Sequence, residues 1–110
     1  MSIDALLNNK PIQSKYLDDL FVKRFTVAEY LELKDSLSFI AKEISKTDDP
    51  LERLEILFTS CFADVCVLIA MSTDIEPSRL INTTPEVFQG LLSEVMETNS
   101  DFFIRAARHQ

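Results

Sequence analysis

The chain has 110 residues, enough for one domain with a single core and too few for two. Apolar residues make up 46% and charged residues 26%, which excludes the disordered class; a net charge of −7 sets the surface against nucleic-acid phosphate. One glycine leaves little for tight turns, phosphate loops or strand bulges, so the chain reads as helices joined by capped loops.

Residues 1–25 form the least regular stretch. MSIDALLNN has the composition of one helical turn with Ser2 as its cap, and no basic-then-apolar signal pattern is present. Pro11 interrupts, and DDLFVKRF, short, apolar and basic, reads as a strand or an extended arm leading into the first long helix.

FTVAEY starts that helix. Thr26 is placed to accept from the Glu29 backbone N–H while Glu29 reaches back to the N–H of Thr26, a capping box, and Phe25 and Tyr30 sit where a hydrophobic staple closes. The helix runs from Val27 to about Ser45, with Tyr30, Leu33, Leu37, Ile40 and Ile44 in one stripe. Phe39 lies about 140° from the centre of that stripe, among charged residues.

KTDDP ends one helix and opens the next. Asp49 caps, Pro50 takes the first helical position, and Glu52 completes a box with Asp49. A second helix is expected to extend unbroken to about Met71. Its main stripe is Leu54, Leu57, Phe58, Cys61, Phe62, Val65, Leu68 and Ile69, and the opposite face is apolar too: Ile56, Ala63, Val67 and Ala70. A helix apolar all round is central in its domain or offers a face to a partner, and the central position is preferred. Cys61 and Cys66 point about 140° apart on such a helix, which makes them separate reduced thiols rather than a bridge or a chelate. Asp64 falls at the edge of the stripe, and the run CFADVCVLIAM is too short to span a bilayer.

In STDIEPSRLINTTPEV, Pro77 opens a single turn, PSRLI, while Thr83 and Glu86 suggest a third capping box with Pro85 in the first turn. The last helix presents Val87, Phe88, Leu91, Leu92, Val95 and Met96; continued, its register carries Phe102, Phe103 and Ala106 and puts Asn99 mid-stripe. Either the helix breaks at TNSD or Asn99 is a buried polar residue that sets register; clustered Asn, Ser and Asp favour the break. The fold class is therefore all-α. Three main helices near 27–45, 50–71 and 84–98 join short helical pieces and an extended or short β N-terminal arm. The domain is residues 1–110, with an arm to residue 25 and a helical body from residue 26.

The parts for catalysis are missing. The only histidine is His109, so no Ser/His or Cys/His pair and no histidine-based metal site can form, and one glycine makes no phosphate loop. The adjacent acids Asp18/Asp19 and Asp48/Asp49 read as turn and cap residues. The expectation is a protein that is not an enzyme and holds no metal or cofactor.

A short lead ending in FTVAEYLEL, an acidic DP-initiated helix running into VLIAMS, a Pro-containing link and a helix beginning TPEVFQGLLSEVMETN together resemble the tail assembly chaperones of long-tailed bacteriophages. In that family an "LTV.E...L" start and a late "L..L....F..L...V...N" helix recur around a similar apolar middle. The likeness covers about residues 20–103, though the lead lacks the glycine turn that relatives often carry before the strand. It implies a small, mostly helical protein of the bacterial cytoplasm that keeps the long tape measure protein soluble and helps recruit tail tube subunits. It also implies a longer frameshifted form as co-partner, with no nucleic-acid or membrane partner.

The alternative is an acidic regulatory adaptor or DNA-mimic inhibitor bound to a basic protein. Salt separates the two, because charge-driven binding weakens steeply with ionic strength and apolar docking barely changes. The expected protein-contact surface is Phe39, Ile56 and Val67 with Phe102 and Phe103, residues off the stripes that a three-helix core closes on. Without a client, the same residues are expected to drive homo-oligomers.

Overall fold

A computed structural model of the chain describes residues 11–100. Strands β1 (Ile12–Gln13) and β2 (Phe21–Val22) form an antiparallel hairpin, with Ile12 opposite Val22 and Gln13 opposite Phe21. Five helices follow among the described residues: α1 (Val27–Ile44), α2 (Pro50–Phe58), α3 (Phe62–Thr73), α4 (Pro77–Ile81) and α5 (Pro85–Thr98). The fold is mainly helical, and its centre is α3, which packs against α1, α2, α4, α5 and β2. No single described helix is long and apolar enough to cross a membrane.

The hairpin closes without glycine because a serine and a distant glutamate supply its polar contacts. The Ser14 hydroxyl accepts from the N–H groups of Tyr16 and Leu17 and donates to Glu94 Oε1 at 2.6 Å, while Lys15 N–H donates to Glu94 Oε2 at 2.9 Å. The turn is thus fastened to α5. On the same helix, the chain's one glycine, Gly90, lies directly under the Tyr16 ring, and a Cβ there would overlap the ring carbons.

The capping box at Thr26 forms in both directions: Glu29 N–H donates to the Thr26 hydroxyl at 3.1 Å and Thr26 N–H to Glu29 Oε1 at 2.9 Å. Phe25 and Tyr30 both pack on a cluster of Leu33, Leu37 and Leu68. The other two caps differ from expectation. Asp49 does cap α2, accepting from Leu51 N–H, but Glu52 takes the Thr47 hydroxyl at 2.6 Å, and that same oxygen accepts from Asp49 N–H. A threonine relay replaces the direct box. For α5 the cap is Thr84, which accepts from Val87 N–H, while Thr83 is drawn back to the Leu80 carbonyl at the end of α4.

The expected single helix from 50 to about 71 is two helices meeting at 79°. The α2 ladder stops at Ile56, whose carbonyl accepts from both Thr59 N–H and Cys61 N–H, and the Thr59 hydroxyl donates to the Glu55 carbonyl. Thr and Ser bond locally in this way and so hold helices weakly. Phe58 and Phe62, one on each side of the break, both pack on Phe88 of α5, at centroid distances of 5.2 and 5.4 Å. Each such ring pair contributes about 0.5–1.5 kcal/mol beyond its burial, comparable to the net worth of a lost ladder bond. The bend is therefore inexpensive, and it brings Cys61 and Val65 into the main core with Ile69, Leu91 and Val95.

At the other end of α5, the helix stops within TNSD and Asn99 is nonetheless buried. The helix ends at Thr98, and Asn99, only 1% exposed, caps it. Its Oδ1 accepts from Phe25 N–H at 2.9 Å and its Nδ2 donates to the Val95 carbonyl at 2.9 Å. Beside it, the Ser72 hydroxyl donates to the Lys23 carbonyl at 2.7 Å and Lys23 N–H donates back to the Ser72 carbonyl. The helical turn expected at Ser2 lies outside the described residues.

Two outcomes follow for stability, both read by denaturant unfolding. Asn99→Ala removes a buried side-chain amide that accepts from Phe25 N–H and donates to the Val95 carbonyl, and is expected to cost about 1–3 kcal/mol. Gly90→Ala gains about 1 kcal/mol of helix propensity but must expel the Tyr16 ring. It should therefore destabilise the wild-type chain and stabilise the Tyr16→Ala variant, and the same sign in both backgrounds would refute the contact.

Candidate protein-docking groove

Among the described residues the core consists of two clusters. One gathers around Val65, Ile69, Leu91 and Val95; the other joins Leu33 and Leu37 of α1 to Leu68 of α3. Where the clusters fail to merge, a groove opens. Its floor is Val65 and Leu68 of α3, one wall is Leu37, Ile40, Ala41 and Ile44 of α1, the other is Leu92 and Met96 of α5, and Leu57 of α2 closes it. The volume is about 250 Å³, and every lining side chain is apolar. Met96, expected on the inner stripe, is 48% exposed at the rim.

The groove is apolar and its surroundings are acidic. Among the residues next in sequence to the lining positions, Glu43, Asp64 and Glu97 are acidic and Lys42 alone is basic. Glu43 is matched by Lys46 at 2.9 Å. Nearby, burial pushes the Cys61 thiol up, helped by the Glu43 and Asp64 carboxylates, and burial raises Cys66 as well. Both thiols are free and stay protonated at neutral pH, which makes them poor nucleophiles.

Two other hollows have less to offer a partner. One, about 330 Å³, lies between the hairpin and the end of α5, but its Glu94 is already bonded to Ser14 and Lys15. The other, about 200 Å³, is bordered by Phe58, Phe62 and Phe88, which are engaged with one another. Among the described residues no set of three or more His, Cys, Asp or Glu side chains is placed to hold a metal.

The residues expected to form the contact surface are not brought together. Phe39 (40% exposed) and Val67 (45% exposed) are at the surface, outside the groove lining. Ile56 is half-buried against the main core, and its carbonyl anchors the helix break. The 79° bend removes the continuous second face that Ile56 and Val67 are expected to share. Phe102 and Phe103 lie outside the described residues. The groove is built instead from stripe residues, Ile40, Ile44, Leu57, Leu92 and Met96, that look like ordinary core positions in sequence.

Comparison with models of known families, with curated proteins and with solved structures finds no match to this chain.

The geometry separates two substitutions. Val67→Asp places a charge at an exposed position and should change stability by less than about 0.5 kcal/mol. Ile56→Asp puts one against the core and should cost at least about 2 kcal/mol. Thermal unfolding followed by circular dichroism measures both.

Proposed function

We propose that this protein is a tail assembly chaperone of the kind made by long-tailed bacteriophages, acting in the bacterial cytoplasm without catalysis. In this role it binds the helical tape measure protein, keeps it soluble and helps recruit tail tube subunits. The observation that carries the proposal is the apolar groove between α1 and α5, shaped to receive the greasy stripe of a client helix. The likeness of the capped FTVAEYLEL start and the TPEVFQGLLSEVMETN helix to that family supports it, as does an acidic body that resists aggregation.

The size of the groove suits a temporary hold. An engineered cavity of about 150 Å³ takes a benzene molecule, so about 250 Å³ accommodates one or two large apolar side chains. Their burial contributes about 1.5–3 kcal/mol each, while association costs about 4 kcal/mol or more. Contacts of this strength release as readily as they form, which a chaperone requires.

The test is co-expression with the product of a very long helical reading frame adjacent to this gene. The expected result is a client that is insoluble alone, soluble with the wild-type chain, and insoluble again with Met96→Asp. No such neighbouring frame, or solubility indifferent to the chain, overturns the proposal. So does loss of the complex with rising salt that leaves Met96→Asp equal to wild type, which is the behaviour of a charge-driven mimic.

A further inference from the structure

Resting on the reading of the groove as a docking site, we infer that its occupant is a single partner helix whose apolar stripe is flanked by lysine and arginine, and not a second copy of this chain. The lining side chains carry no donor or acceptor, so an extended peptide laid in the groove would leave most of its backbone groups facing hydrocarbon, whereas a helix satisfies its own. The α1 wall runs from Leu37 to Ile44, two helical turns and about 10 Å, long enough for a helix to seat two apolar anchors at i and i+3 or i+4.

Charge selects the flanks. Helix α5 carries three glutamates and no basic residue, and α3 carries one aspartate and no basic residue. Glu94 is occupied by the hairpin turn and Glu43 by Lys46. Asp64, next in sequence to the floor residue Val65, makes no ion pair among the described residues, while Glu97 faces the hollow beside the hairpin. Asp64 is also half-buried, which places its carboxylate where a cation on a docked helix can reach it. A second copy would bring the same acidic rim and the same concavity to the groove, and a chain at −7 repels its like.

The probes are three synthetic peptides of about 18 residues, five helical turns. The first has a leucine stripe with lysine elsewhere, the second the same stripe with glutamate elsewhere, and the third is a scramble of the leucine–lysine peptide that has no stripe. Binding to the full chain is measured by calorimetry. The leucine–lysine peptide should bind one to one, with the leucine–glutamate peptide and the scramble each at least about tenfold weaker. Asp64→Asn should shrink the lysine–glutamate difference to less than about threefold, and Met96→Asp or Ile44→Asn, either of which folds by circular dichroism, should abolish striped binding.

Equal binding of the two striped peptides overturns the basic flanks and leaves the groove reading intact. No binding by either striped peptide, or a scramble that binds as tightly as its striped parent, overturns the groove reading itself. Binding that requires breaking a dimer of the chain, or that appears only in a Phe102→Ser, Phe103→Ser variant, identifies the chain itself as the occupant and overturns the inference.

Discussion

The hydrogen bond from Phe25 N–H to the Asn99 side chain sets the spacing on which the rest of the structure depends. It joins the residue before the cap of α1 to the residue that ends α5, so the two walls of the groove are tied at one end. The Ser72–Lys23 pair fastens the same short segment to α3, the floor. Three residues, 23 to 25, are thereby held by two different helices, and α1 leaves from a fixed point at a fixed angle. Both polar side chains, Asn99 and Ser72, are buried, and hydrogen bonds made by buried polar side chains are costly to lose.

Helix α3 explains why that anchoring is needed. It is apolar on nearly every side and must be covered by several elements at once, yet α1 and α5 reach it from separate directions and close on separate clusters. The gap between them stays apolar because both walls are the inner stripes of amphipathic helices. The exposed acidic residues of those helices, Glu32, Asp35, Glu86 and Glu97, lie outside the groove lining. An apolar groove in an acidic body follows from that division.

A chain with one glycine also has to make its turns by other means. Ser14 and Glu94 together satisfy the hairpin turn, and Asp74 accepts the left-handed conformation at the end of α3, with φ 59°, a geometry that short polar side chains tolerate. The single glycine is used mid-helix, at Gly90, where Tyr16 needs the surface of α5 bare.

Much of the architecture was legible in local signals. The Thr26–Glu29 box and the 3–4 spacing of Tyr30, Leu33, Leu37, Ile40 and Ile44 determined α1 and its buried face, and Pro50, Pro77 and Pro85 marked three further helix starts. These rest on contacts within four residues, which a sequence states directly. The break at Thr59–Cys61 was not legible, because unbroken apolar periodicity conceals a bend that depends on Phe88, about thirty residues further along. The glycine-free hairpin turn depends likewise on Glu94. The groove between α1 and α5 was not legible for the same reason: a stripe shows which side chains leave water, but how far two helices stand apart on a third is decided by long-range bonds such as Asn99 to Phe25. Sequence alone determined the helices and their inner faces; tertiary structure decided which inner faces meet and which stay open, because burial is a property of neighbours that periodicity does not name.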